Sequence, residues 1–205
     1  MKLLNRISTY LIGLLMLGSS NSAFSQGYKI GDVVGDFSLK NTSGLMVSLS
    51  DMKDMKGYII VFTCNHCPFS IAYEDRIIAL QAKYQSKKFP VVAINSNDKV
   101  VSPDDSYEEM IKRFAEKNFN FNYLYDENQV VARLFGAART PHVFVVEKVK
   151  NDMFLRYVGA IDDNTDEPSE VKKKYVENAV DQILEGKEVT VNTTKAIGCS
   201  LKWKK

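Results

Sequence analysis

Tyr58-Ile59-Ile60-Val61-Phe62-Thr63-Cys64-Asn65-His66-Cys67-Pro68 is the stretch that decides the fold of this chain. An apolar, β-prone run leads directly into two cysteines with two residues between them, and a proline follows. Thiols at that spacing close a small ring with little backbone movement, which is what a dithiol/disulfide redox centre requires. Pro68 suits the first position of a helix, and Tyr73, Ile77, Leu80 and Tyr84 continue at helical spacing. The local order is therefore strand, dithiol, helix.

Before this stretch, Phe37 to Lys40 and Leu45 to Leu49, separated by Asn41-Thr42-Ser43-Gly44, predict a β-hairpin. After it, the pattern predicts a helix over 69–86, an apolar strand over 91–94, and a helix over 106–117 opened by a capping box of Ser106 and Glu109. A short strand at 124–125, a helix over 128–135 stopped by Gly136, and strands at 143–146 and 155–158 complete the middle. A last helix over 170–184 places Val171, Tyr175, Ala179 and Ile183 on one face. Such alternation predicts an α/β domain with a central mixed sheet flanked by helices.

Residues 1–25 stand apart. Lys2 and Arg6 precede a short apolar core and a polar stretch ending Ala23-Phe24-Ser25, the layout of a secretory signal peptide cleaved near Ser25/Gln26. The expected product is periplasmic or secreted, without stable membrane insertion, and comprises one domain over 26–188 with a tail over 189–205 packed on it. Removing that segment takes Lys2 and Arg6 from 27 basic residues and nothing from 25 acidic ones, so the mature chain is formally neutral. A neutral chain lacks the field that steers nucleic acid, and no nucleic-acid partner is expected.

Several stretches carry a resemblance. The Cys-X-X-Cys at a strand end, with Thr140-Pro141 before the strand at 143–146, looks like a thioredoxin fold. The hairpin and the Ile30-Gly31-Asp32 to Phe37 entry resemble its redoxin branch, the alkyl hydroperoxide reductase/thiol-specific antioxidant proteins and the TlpA/ResA-like thiol-disulfide oxidoreductases. Cys64-Asn65-His66-Cys67-Pro68, Ile94 to Asp98, Gly159 to Asp163 and Gly198 to Trp203 together resemble a peroxiredoxin-like group within it. The resemblance implies a cis bond at Thr140-Pro141 that presents the Thr140 backbone to an extended substrate opposite the cysteines.

There are departures from the family pattern. The threonine that peroxiredoxins place three residues before the peroxidatic cysteine is matched, counting from Cys67, by Cys64. Ser70 stands where ResA/TlpA-like proteins have a glutamate, Tyr58 where thioredoxins have a buried acid, and Arg139 where the nearest group often has a cysteine. A standard proton-shuttling acid is thus missing.

The residues predict Cys64 as nucleophile at a helix N-terminus, with His66 and Asn65 tuning its pKa and potential, and Cys67 resolving. A histidine between the thiols argues for an oxidant. Partners are protein or small-molecule thiols and disulfides with an unidentified electron donor or acceptor, and no cofactor or metal is expected beyond the redox-active disulfide. Two alternatives stay open: a thiol peroxidase, and a copper-binding Sco-like chaperone using both thiols with His142. Cys199 reads either as a packed free thiol or as an additional redox thiol resolving Cys64, with Trp203 anchoring the tail. Asp162 to Glu167 opens like a calcium loop but lacks the later ligands, and reads as a solvated acidic turn.

Overall fold

The computed structural model describes residues 27–205, so the segment read as a signal peptide lies outside the described residues. The chain forms strands β1 (Ser38–Asn41), β2 (Met46–Ser48) and β3 (Gly57–Phe62), helix α1 (Pro68–Tyr84), β4 (Val91–Asn95), α2 (Tyr107–Glu116), β5 (Asn122–Tyr125) and α3 (Val130–Phe135). Strands β6 (Arg139–Thr140), β7 (His142–Val149) and β8 (Asp152–Gly159), helix α4 (Tyr175–Leu184) and strand β9 (Cys199–Ser200) follow. Seven strands make a mixed sheet in the order β2-β1-β5-β4-β3-β7-β8, and β6 pairs with β9 in a separate two-stranded sheet. This is the expected α/β, thioredoxin-like arrangement.

Strand β3 is central and wholly buried, parallel to β4 and antiparallel to β7. Period-two alternation divides it between two cores: Ile59 and Val61 face one, and Tyr58, Ile60 and Phe62 face the other. Helix α1 covers the first face through Tyr73, Ile77, Leu80 and Tyr84, the four residues its spacing had singled out. Among the described residues, no helix is long and apolar enough to cross a membrane.

The predicted final helix is too long at its start. Residues 168–170 form a 3-10 turn, and the Asp163 carboxylate accepts the backbone N–H groups of Lys172 and Lys173 at 3.0 Å each, holding that stretch out of the helix. Helix α4 therefore begins at Tyr175, and its buried face is Val176, Ala179, Val180 and Ile183 in place of the stripe through Val171 and Tyr175. The acidic turn is tied down by Arg76, whose guanidinium donates to both oxygens of Asp162 at 2.9 and 2.7 Å.

Beyond α4 the tail runs back along the sheet edge. Val158 N–H donates to Asn192 O and Thr194 N–H to Val158 O, both at 3.0 Å, and the chain then returns to the end of β3.

Candidate active site

The dithiol loop leaves β3 where the parallel strands end, the edge at which α/β sheets gather their sites. Helix α1 begins at Pro68, so Cys67 is its N-cap and the positive end of the helix dipole falls on Cys67. Cys64, expected at that helix end, lies three residues short of its N-cap in irregular loop.

Cys67 is bonded to Cys199, 132 residues away, with the two α-carbons 6.3 Å apart. The sequence reading pairs Cys64 with Cys67. Here the other partner is taken because β9 lies against β6 in the register Thr140↔Cys199, which carries Cys199 within disulfide span of Cys67. Cys64 is left as a free, buried thiol.

Both loop cysteines rest on Thr140, whose peptide bond to Pro141 is cis. Cys64 Sγ lies 3.4 Å from Thr140 Oγ1 and 3.7 Å from Ser70 Oγ, and Cys67 Sγ lies 3.4 Å from Thr140 O. Burial pushes the Cys64 thiol up from its ordinary pKa, and the nearby Asp105 carboxylate adds to the rise. The Thr140 and Ser70 hydroxyls and the Cys67 N–H oppose it less strongly. This reverses the expectation of an acidified Cys64.

Asp105 is the residue that sequence reasoning missed. Fully buried in a short 3-10 turn (Pro103–Asp105), it accepts the Asn65 N–H at 2.7 Å, Asn97 Nδ2 at 2.7 Å and the Ser102 hydroxyl at 2.8 Å. His66 Nδ1 lies 2.8 Å from the same carboxylate. Asn65, predicted to tune the thiols, is a brace for the loop: its Nδ2 donates to Asp104 O at 2.9 Å and its Oδ1 accepts the buried Tyr123 hydroxyl at 2.8 Å. The signal available in the sequence was an acidic turn, Pro103-Asp104-Asp105, just past the polar loop at 95–98 at the carboxyl edge of the sheet.

Among the described residues, the one cluster of three or more potential metal donors is Cys64, His66 and Asp105, within 4.8 Å of one another. The Asp105 oxygens are already occupied by N–H and O–H donors, so the carboxylate is committed to bracing the loop. His142 stands outside that cluster. Its ring packs on Phe144 with centroids 4.5 Å apart, and burial, with the charge of Arg139, lowers its pKa to about 4.

The tail closes the site. Leu201 N–H donates to Ala138 O at 3.1 Å and Leu201 is buried in the second core. The Lys202 N–H donates to Asn97 Oδ1 at 2.8 Å, while Lys202 O accepts Asp98 N–H at 2.9 Å and Gln129 Nε2 at 2.7 Å. The Arg133 guanidinium lies 4.4 Å over the Trp203 ring. The structure thus brings Cys64, Asn65, His66, Cys67, Thr140, Pro141 and Cys199 to one place.

A helix-capping cysteine in a disulfide, a neighbouring thiol and a cis-proline loop, set on this sheet, define a redoxin on a thioredoxin-like fold. Residues 30–157, more than half of the chain, match the AhpC/TSA family, and the chain belongs to that family. It is 28% identical over 109 residues to a putative peroxiredoxin bcp of Helicobacter pylori (strain J99 / ATCC 700824), a match spanning 53% of this chain and 66%, just under two thirds, of that protein. Among solved structures it is similar to an uncharacterized conserved protein from Geobacillus kaustophilus (TM-score 0.79, 37% identity, 86% of this chain and 93% of that one). It is also similar to a hypothetical protein from Sinorhizobium meliloti 1021 (TM-score 0.78, 31% identity, 87% and 96% covered). Family membership carries oxidoreductase or peroxidase chemistry in general.

Proposed function

We propose that this protein is an exported thiol-disulfide oxidoreductase, working in the periplasm or outside the cell, in which Cys67 is the central sulfur and Cys64 and Cys199 are its alternative partners. The observation that carries it is that the sulfur at the helix N-cap is the one engaged in the disulfide, while a third thiol waits beside it on Thr140. This exchanges the roles given to Cys64 and Cys67 by sequence alone. The helix terminus favours thiolate at Cys67, which makes it both a good attacking sulfur and a good leaving group.

In the oxidising direction, one thiolate of a substrate dithiol attacks Cys67 Sγ and Cys199 leaves as thiolate, taking a proton. The second substrate thiolate then attacks the mixed disulfide at the substrate sulfur, giving substrate disulfide and Cys67 thiolate. Two electrons have passed from the substrate to the Cys67/Cys199 pair. In competition with that second step, Cys64 thiolate attacks Cys67 in the mixed disulfide, returning the substrate thiol unoxidised and moving the protein disulfide from Cys67–Cys199 to Cys64–Cys67. Burial of Cys64 keeps that route slow until its proton is lost.

The test is exchange with a model dithiol and with a model disulfide by wild-type protein and three serine variants. Cys67→Ser should abolish exchange, Cys199→Ser should slow it by about tenfold because only the buried Cys64 remains as partner, and Cys64→Ser should leave it close to the wild-type rate. Full exchange by Cys67→Ser would overturn the assignment.

The Cys67–Cys199 bond favours a second reading, since it is also the product expected of peroxide reduction. Cys67 thiolate would attack a hydroperoxide, releasing an alcohol or water and forming sulfenic acid, and the Cys199 thiol would condense with it to disulfide and water. Against this reading, Cys64 stands at the position of the family threonine, and among the described residues no arginine is a hydrogen-bond partner of either sulfur. Peroxide consumption by reduced Cys64→Ser at the wild-type rate would favour it.

A further inference from the structure

The tail has the form of a bound peptide. Cys199 and Ser200 pair antiparallel with Thr140 and Arg139, and Arg139 Nη1 donates to Gly198 O at 2.9 Å. Leu201, two residues past the cysteine, fills a buried apolar seat, and Lys202 and Trp203 continue across the loop at 96–98 and the start of α3, where Gln129 and Arg133 meet them. A short extended strand adding main-chain bonds to an exposed edge, with alternate side chains in pockets, is the general pattern of β-augmentation.

Gly198 belongs to the same pattern. A Cβ there would run into the Thr140 carbonyl, so the residue before the cysteine must be glycine for the strand to lie this close. The tail is therefore fitted residue by residue: glycine against Thr140, cysteine on Cys67, a free position at Ser200, leucine in the core.

We infer that the Gly198–Trp203 segment is a tethered substrate-like strand, seated where an extended peptide of the form Gly-Cys-X-Leu docks in trans, and that tail and peptide compete for Cys67. The inference rests on the exchange chemistry proposed above and deepens it by naming the partner, a cysteine-bearing extended peptide strand. Exchange is then self-gated. The peptide thiolate attacks Cys67 Sγ, the Cys67–Cys199 bond breaks, Cys199 leaves as thiolate and takes up a proton, and the tail is freed from its covalent hold as the incoming strand takes its register.

The experiment uses the full chain in its oxidised form, with Leu201→Ala to loosen the seat and Trp203→Ala as a milder second variant. Three thiols are compared: acetyl-Gly-Cys-Ser-Leu-Lys-Trp-amide, the same peptide with its leucine replaced by aspartate, and glutathione. Opening of the Cys67–Cys199 bond is followed by mass spectrometry of the mixed disulfide. Loosening the tail should raise the rate for the leucine peptide by about tenfold more than for the aspartate peptide or glutathione, a preference weak or absent in the wild-type chain. If Leu201→Ala does not fold, Trp203→Ala should show the same preference to a smaller degree.

Equal acceleration of all three thiols would overturn the docking surface while leaving the exchange reading intact, and would make the tail a simple guard of the disulfide. A leucine preference already full in wild type would overturn the competition. Failure of every thiol to open the bond would overturn the exchange reading and the inference with it.

Discussion

Cys64 and Cys67 lie three residues apart on one loop and share Thr140, yet the rest of their surroundings differs. The Cys64 side is braced from the next loop of the sheet. Buried Asp105 accepts bonds from Asn65, Asn97 and Ser102 and faces His66, and burial, with the charge of this carboxylate, pushes the Cys64 thiol up from its ordinary pKa. The Cys67 side is as deeply buried but differs in its covalent partner: a helix begins there, and the strand laid over it comes from the far end of the chain. The difference shows how one short motif can hold a resting thiol and a working sulfur together. Fixed polar bonds define the first, and a removable strand completes the second.

The rigid side breaks hardest. Asp105→Ala should cost about 3 to 5 kcal/mol of stability, because it leaves several buried donors facing no acceptor. Asp105→Asn keeps the shape and removes the charge, so it should cost less and let Cys64 titrate at lower pH than in the parent. Denaturant melts and a pH series of thiol alkylation check both, and an Asp105→Ala variant as stable as wild type would show that the brace is idle.

On the movable side, Cys199→Ser should cost about 2 to 4 kcal/mol in the oxidised protein through the lost cross-link. In the fully reduced protein the same substitution should cost little. A loss of equal size in both states would mean that Cys199 stabilises by packing alone.

Acid should weaken the flank near the cis-proline loop. His142 has a folded pKa of about 4, below the unfolded value of about 6.5, so the unfolded chain binds the extra proton across that window. Its contribution is fully present above the unfolded value and is lost as pH falls toward the folded one, by at most about 3 kcal/mol. Measured stability of wild type should drop between those limits, and His142→Phe should flatten that part of the curve.

The smallest effect belongs to the tail's end. Trp203→Ala should cost about 0.5 to 1 kcal/mol from the lost stack under Arg133. Its stability should change little more when the Cys67–Cys199 bond is reduced, if the seat is held by its own contacts as well as by the bond.

Much of this architecture was legible. The run 58–62 is continuously apolar because β3 is buried on both faces, and the α1 stripe shows because one helix face meets the core. The cis bond at Thr140-Pro141 followed from the family resemblance. What escaped lacks periodicity. Strands β6 and β9 are two residues each, so no alternation announces them, and their pairing joins positions about sixty residues apart. Asp105 sits in a 3-10 turn whose composition is that of any polar loop, and only the fold turns its carboxylate inward. The start of α4 was misplaced because the Asp163 bonds to Lys172 and Lys173 outweigh a local pattern that reads as helical.

The central claim, that Cys67 and not Cys64 is the reactive sulfur, is tested most directly by timed alkylation of reduced Cys199→Ser protein across pH, with each site quantified by peptide mapping. The account predicts that Cys67 is labelled first and with an apparent pKa below that of a free thiol, about 8.5, while Cys64 reacts only at higher pH. Labelling of Cys64 ahead of Cys67 at neutral pH would contradict it.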